Sequence, residues 1–586
     1  MTSETSPTGL RSNLVNYGDA EFALFLRKAF IKGAGYSDDV LERPVIGIVD
    51  TESGFNPCHG NMPELIKAVE RGVMMAGGFP VSFPTISLHE SFSHPTSMFL
   101  RNLMAMDTEE MLRALPVDAV VLIGGCDKTV PAQLMGAASA GRPAIQLVTG
   151  SMLTGSHRGR TVGACTDCRA FWGRYRAEEI DDAEIEEVNG RLVGSVGTCS
   201  VAGTASTMAA VAEALGVALP GSAAPPAVTA ERMRVAEMTG RRAVGLAEEK
   251  LDINQILTPA AFDNAFRVLL AMGGSTNALV HLAAIAGRCG YTLDLDAFDA
   301  MSLETPVLVN LKPAGAHYME DLHRAGGVQR LMTEISDLLD LDTLTVTGRT
   351  LGEELAEAPA PYPQDVIRPR EDPIYPAGSI AVLRGNLAPA GAIIKQAAAA
   401  PALLEHTGRA VVFEDAADLA ARIDDEALDV TADDVLVLKN IGPVGAPGMP
   451  EGGYIPIPRK LARAGVKDMV RISDGRMSGT AAGTIVLHVS PEAAAGGPLA
   501  VVRDGDTVTL SVKDRVLAID VDDAEIARRL ALVEVRPKPK RGYAKLFVEE
   551  VTQAEEGCDF RFLQAEETTA AVPRRAGSTG TAGVSS

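Results

Sequence analysis

Aromatic side chains are scarce in this chain: they make up 4% of the residues, and Trp172 is the only tryptophan. That scarcity argues against an aromatic stacking surface, while abundant Ala and Gly suit close packing of helices on a sheet. Positive charge is also in deficit, giving a formal net charge of −22. Nucleic acid and anionic membranes are therefore poor partners, and an anionic substrate would need a local cation, such as a metal. No apolar run approaches the 18 residues that a membrane-spanning helix requires. The N-terminal stretch MTSETSPTGLRSN has no apolar core of the signal-peptide kind, and the seven cysteines are an odd number spread along the chain. A reducing, cytoplasmic setting is expected.

A chain of 586 residues is too long for one hydrophobic core, so two large domains are expected. Residues 1–12 and 566–586 are small and polar and read as disordered tails. Residues 13–370 read as an N-terminal α/β domain. In it RPVIGIVD, VDAVVLIGG and PAIQLVTG read as buried strands, and PELIKAVERGVMMAGG and PAQLMGAASAG as helices. Continuous apolar strands alternating with helices predict a doubly wound parallel sheet covered on both faces. The Pro-rich connector EAPAPYPQDVIRPREDPIYPAG then leads into residues 371–565. There, the short β-type runs GSIAVLRG, RAVVFED, DVLVLKN, VKDMVRISD, GTIVLHVS, PLAVVRDGDTVTLSVKD and RVLAIDV, separated by glycine, predict a β-rich, barrel-like domain.

Three cysteines lie in glycine-rich settings: Cys58 in GFNPCHGN, Cys126 in LIGGCDKTVPA and Cys199 in SVGTCSVAGTAS. They stand 68 and 73 residues apart (58 to 126, 126 to 199), too far for a zinc-finger loop. A lone cysteine of this kind is a small buried hydrophobe as easily as a ligand. Here, however, Cys126 directly follows a strand and Cys58 lies in the loop after another. In a parallel sheet the loops at the carboxyl ends of strands carry the chemistry. Three thiols brought by three loops to one point suit an iron–sulfur cluster with an open iron site. Asp127-Lys128 then adds a hard oxygen donor and a lysine at the same place.

The CDK run after a strand, together with GPVGAPGMPE and ISDGRMSGTAAGTIVLHVSPEAAAGGPLA, resembles the dihydroxyacid and sugar-acid dehydratase (IlvD/Edd) family. The likeness runs from about residue 40 to 550. It implies that Cys58, Cys126 and Cys199 hold a 2Fe-2S cluster, a nuclearity that spacing alone does not fix. It also implies Mg2+ held by Glu90, Asp127 and Glu451, whose hard carboxylate oxygens suit that ion. Lys128 resembles the family's carboxylated lysine, a carbamate formed from CO2. The alternative is an ammonium that pairs with the substrate carboxylate. Ser478 matches the family's base, and Thr480 a neighbouring position that contacts substrate or the cluster end of the site. With three protein ligands, the cluster keeps an iron position open as a Lewis acid for a substrate hydroxyl.

The expected reaction is loss of water from a polyhydroxy acid to give a 2-keto-3-deoxy acid. Thr129 after GGCDK, the segments HESFSHPTSMFLRNLMAMDTEEM and GTCSVAGTASTM, and glutamate rather than aspartate at 90 lean toward aldonates such as arabinonate, xylonate or galactonate. His89, Ser91, Ser93 and Thr480 are candidate polar groups for such a substrate. The alternative is a dihydroxyacid dehydratase of branched-chain amino-acid synthesis. A non-catalytic iron–sulfur sensor is more remote, since it needs no Ser478, Glu451 or Lys128. Cys165-Thr-Asp-Cys168 reads as a loop near the site, a redox pair or a chance pair, and zinc is disfavoured because no second CxxC accompanies it. His59 and His89 are either substrate-orienting groups or locally satisfied hydrogen-bonders. A homodimer or homotetramer is expected by resemblance.

Overall fold

The computed structural model describes residues 8–534 and 536–575, and they divide into two compact units. The first comprises residues up to 257 with 310–333 and 341–367; the second comprises 258–309, 334–340 and 368 onward.

The first unit is built on a four-stranded sheet of β1 (Val45–Asp50), β2 (Phe79–Pro84), β3 (Ala119–Gly124) and β4 (Ala144–Val148). Its order is β2-β1-β3-β4, and every pairing is parallel. β3 and β4 are buried at every position, which explains their uninterrupted apolar sequence and reflects helices on both faces. Helix Met62–Met75 packs on helix Ala230–Glu249 at very close range. A Cβ at Gly72 would strike the Glu237 carbonyl, and one at Gly240 the Val69 carbonyl, so this crossing requires both glycines. A short hairpin of β5 (Gly155–His157) and β6 (Arg160–Val162) completes the unit's strands.

The second unit centres on a closed eight-stranded barrel. Its strands are β8 (Ala381–Gly385), β9 (Ala388–Ile394), β10 (Glu405–Phe413), β11 (Val435–Leu438), β12 (Arg471–Ser473), β13 (Ile485–Ser490), β14 (Thr507–Ser511) and β15 (Val516–Ile519). They close in the order β10-β11-β12-β13-β9-β8-β15-β14. Alternation along the strands sorts the side chains. Ala410, Val412, Val435 and Val437 join one apolar cluster, to which all eight strands contribute. Val411, Phe413, Leu436 and Leu438 join another, packed with Leu419 of helix Ala416–Arg422. Each such buried Val, Leu or Phe side chain contributes about 1.5–3 kcal/mol relative to exposure.

The structure departs from the sequence expectations in several places. Residues 258–309 fall in the second unit and not in the domain ending at 370. Asp299, on helix Leu295–Glu304, accepts from the Val382 backbone at 2.9 Å and from Arg515 at 2.8 Å, tying that helix to the barrel. Arg288 forms a fully buried pair with Asp559, at 2.6 and 3.1 Å. Both ends of the described chain are also more ordered than expected. Leu10 is buried in a cluster with Val45, Phe79 and Val117. Near the other end, β16 (Ala570–Val572) pairs with β7 (Tyr291–Leu293). The rest of both predicted tails, 1–7 and 576–586, lies outside the described residues. Finally, β9 escaped the sequence reading because Pro389 and Gly391 look like loop residues, and Pro498–Val501, read as part of a β-type run, is a 3-10 turn.

Candidate active site

The three cysteine loops interlock within the first unit. Cys58 lies in the 3-10 turn Pro57–His59 beyond β1, and Cys126 lies two residues beyond β3. Thr149 Oγ1 donates to the Cys58 carbonyl at 2.8 Å, and a Cβ at Gly125 would collide with that hydroxyl. The third loop is fastened by Gly197 N–H to Pro57 O at 3.1 Å and Thr198 N–H to Gly150 O at 2.9 Å. Gly197 has φ +127, which favours glycine. Cys58 and Cys126 are buried, and their thiols interact. Contact with Cys126 and then burial raise the Cys58 thiol well above its ordinary range. A free thiolate is disfavoured there unless a metal stabilises it.

His59 organises the Cys126 loop. Its Nε2 accepts from the backbone N–H of Gly125 at 2.9 Å and of Cys126 at 3.0 Å. Both partners can only donate, so the ring proton sits on Nδ1, which faces the Thr51 carbonyl at 2.8 Å. Burial lowers the His59 pKa to about 4, keeping the ring neutral. Of the two sequence readings, the structure supports the local hydrogen-bonder. His89 differs: burial disfavours its charge, but the Cys58 contact and the carboxylates of Asp127 and Glu90 outweigh this and raise its pKa. Ser91 N–H donates to His89 Nδ1 at 3.2 Å, and the Ser93 hydroxyl to the His89 carbonyl at 2.9 Å.

The oxygen donors of this unit converge on Lys128. Glu90 is held by the Thr96 hydroxyl at 2.6 Å, by the Ser97 N–H at 3.3 Å and by the Ser97 hydroxyl. Lys128 has no exposed side-chain surface; its Nζ lies 3.2 Å from Glu90 Oε2 and contacts Asp127 Oδ2. Asp127 Oδ1 is 3.5 Å from Cys126 Sγ. The ammonium thus occupies a cation position between two carboxylates, next to a sulfur donor. A carbamate at Lys128 would add negative charge there, which a divalent cation would balance. Among the described residues, no group of three His, Cys, Asp or Glu side chains surrounds one point closely enough to hold a metal as it stands. The donor chemistry still fits the groups the resemblance implies: sulfur donors on interlocked loops, with hard oxygens beside them.

The Cys165–Cys168 pair lies beside the third loop. Cys165 Sγ is 3.1 Å from Cys199 Sγ, and Cys168 interacts with Cys165. Between them Asp167 accepts from Lys312 at 2.7 Å, the Tyr318 hydroxyl at 2.7 Å and the Gly163 N–H at 2.8 Å. Of the readings left open by sequence, a loop near the cysteine site agrees best with these contacts.

In the second unit, Glu451 and the Ser478 loop are tied through Arg476. The buried guanidinium donates to Glu451 Oε1 at 2.6 Å, and Gly453 N–H donates to the Arg476 carbonyl at 3.0 Å. Ser478 is half-buried; its Oγ lies 2.9 Å from Thr480 Oγ1 and accepts from the Thr480 N–H at 3.4 Å. The N–H donor favours negative charge on the serine oxygen, and the Thr480 hydroxyl adds a second donor to an ionised Ser478, since either hydroxyl can donate in this pair. Buried acids brace the surrounding loops. Asp474 accepts from the N–H groups of Ile441 and Ala493, both at 2.9 Å, and Glu492 from those of Val444 at 2.9 Å and Gly445 at 2.8 Å. Burial raises Asp474 to about 6 and Glu492 to about 7. Sequence reasoning missed this bracing, since each residue looks like an ordinary polar position.

Family models cover most of the chain. Residues 43–354 match the dihydroxy-acid/6-phosphogluconate dehydratase N-terminal model and 365–558 its C-terminal counterpart. The chain belongs to that family and is a hydro-lyase. It is 49% identical over 550 residues to an L-arabonate dehydratase of Azospirillum brasilense, covering 92% of this chain and 94% of the relative. Identity to a 6-deoxy-6-sulfo-D-gluconate dehydratase of Pseudomonas putida is 47%, over 92% of this chain and 93% of the relative. A dihydroxy-acid dehydratase of Acetivibrio thermocellus is 39% identical, over 90% and 96%. No helix among the described residues is long and apolar enough to cross a membrane.

Proposed function

We propose that the chain dehydrates an aldonate, such as arabinonate, xylonate or galactonate, to a 2-keto-3-deoxy acid. The observation that carries the reaction is Lys128, buried between Glu90 and Asp127 and two residues from Cys126. The substrate class is supported by the higher identity to the arabonate and sulfogluconate dehydratases, 49% and 47%, than to the dihydroxy-acid dehydratase, 39%.

Cys58, Cys126 and Cys199 would hold a 2Fe-2S cluster. Glu90, Asp127, a carbamate on Lys128 and, by family resemblance, Glu451 would hold Mg2+. When bound, these groups supply a Lewis acid for the C3 hydroxyl and positive charge for the carboxylate and C2 hydroxyl. His59 keeps the Cys126 backbone fixed by accepting its N–H. Thr96 and Ser97 orient the Glu90 carboxylate. Ser478 Oγ takes the C2 proton, and Thr480 stabilises the charge it would carry through its hydroxyl and N–H. The C3 hydroxyl then leaves and, with the proton taken from C2, makes up the water released, giving an enol that tautomerises to the keto acid. A cytoplasmic homodimer or homotetramer is the assembly the resemblance supports.

The test is an anaerobic substrate panel on cluster-replete protein with Mg2+, read as 2-keto acid formed. Turnover of one or more aldonates over 2,3-dihydroxyisovalerate is expected. Preference for 2,3-dihydroxyisovalerate would move the chain to branched-chain amino-acid synthesis.

A further inference from the structure

We propose that Cys165, Cys168 and Cys199 form a thiol–disulfide relay that, under oxidation with no cluster bound, takes Cys199 through a transient disulfide with Cys165 and returns it to the reduced form. The role given to Cys199 rests on the cluster reading above; the disulfide itself does not. Cys165 and Cys199 present their sulfurs to one another at 3.1 Å, inside van der Waals contact. Their backbones run side by side, because the Ser200 N–H and the Ser200 hydroxyl each donate to the Ala164 carbonyl at 3.1 Å. Sulfurs so placed need a small rotation to reach the bond length of about 2.05 Å. Both sides are held in place. Asp167 has the three partners described above, and the Thr198 carbonyl accepts from the Met152 N–H at 2.8 Å. Cys168 approaches Cys165 from its own helix, Thr166–Arg176.

The chemistry balances with a low-molecular-weight disulfide as oxidant. One thiolate of the Cys165–Cys199 pair attacks the small disulfide, forming a mixed disulfide and releasing one thiol. The other protein thiol then attacks the mixed disulfide, releases the second small thiol and closes the Cys165–Cys199 bond. Two protein thiols are oxidised and one small disulfide is reduced to two thiols. Cys168 next attacks Cys165 Sγ; the bond to Cys199 breaks, Cys199 leaves as a thiolate, and a Cys165–Cys168 disulfide forms with no net oxidation. Cys199 is thereby returned to the reduced form that a cluster needs. Cys58 and Cys126, in contact with one another, lack a third thiol of this kind in the contacts described.

The experiment uses full-length protein stripped of iron anaerobically, treated with glutathione disulfide and mapped as peptides without reduction. In the wild type, Cys199 is expected linked to the Cys165 peptide at early times, then free as the Cys165–Cys168 disulfide accumulates. In Cys168→Ser, the Cys165–Cys199 link should persist. Cluster assembly from Fe2+ and sulfide, followed by visible absorption, should then slow about tenfold until dithiothreitol is added. Far-UV circular dichroism checks that the variant is folded, and the wild-type map stands without it. Recovery of Cys199 bound only to glutathione, or linked to Cys58 or Cys126, would overturn the relay. Normal cluster assembly in Cys199→Ser, alongside the expected linked peptides, would instead overturn the cluster reading and the protective role.

Discussion

The two units solve the problem of placing reactive groups in different ways. In the first, backbone geometry does the work: thiols and carboxylates sit in loops beyond parallel strands, and those loops are stitched together by main-chain hydrogen bonds and by neutral His59. In the second, ionisable side chains brace the loops, with Arg476 on Glu451 and the buried acids Asp474 and Glu492 collecting backbone N–H groups. The difference suits the tasks proposed for each. Soft and hard metal donors must be presented at fixed points by rigid backbone. A serine that must carry negative charge benefits from nearby donors whose field is already in place.

The comparison can be tested unit by unit. The largest effect is expected at the sulfur set. Cys126→Ser should abolish the visible absorption of a cluster and all turnover, while hydrogen exchange in the barrel strands stays as in the wild type. Loss of barrel protection in that variant would show that the units are not braced separately. Next comes Arg288→Ala, which leaves the Asp559 carboxylate buried without its partner. Breaking a buried pair in this way costs about 3–5 kcal/mol, and here both side chains are fully buried. Denaturant unfolding should report that loss, with cluster absorption retained under native conditions. A cost below about 1 kcal/mol would place the pair in the class of exposed ion pairs.

The smallest effect is a pH dependence carried by the bracing acids. Glu492 has a folded pKa raised from 4.5 to about 7, chiefly by burial and then by Asp474. The folded state therefore holds its proton more tightly than the unfolded state. Its stabilising contribution is complete below about pH 4.5 and is lost as pH rises through about 7. Glu492→Gln should flatten the fall in Tm across that window. Parallel Tm curves for variant and wild type would remove Glu492 from the account.

Much of this was legible in the sequence, for reasons that are themselves physical. β1, β3 and β4 read as strands because parallel strands buried on both faces leave no room for polar residues. Cys126, Asp127 and Lys128 stood out because they follow such a strand directly. β9 was hidden because a closed barrel tolerates Pro389 and Gly391 beside a register shift, where ordinary strand rules read a loop. The boundary at 258 was hidden because helices Ala230–Glu249 and Pro259–Ala271 are joined by KLDINQILT, which has no glycine or proline to mark a linker, although they belong to different units. The roles of His59, Asp474 and Glu492 depend on backbone N–H groups from distant segments, which no local pattern encodes.

The central claim is that Ser478 is the base and is not itself a metal donor. The most direct measurement is turnover of the preferred aldonate by Ser478→Ala, with iron, sulfide and Mg2+ content determined on the same sample. A fall in kcat of about 10²–10⁴ at unchanged metal content is the expected result. Near-normal turnover with cluster and metal intact would contradict it.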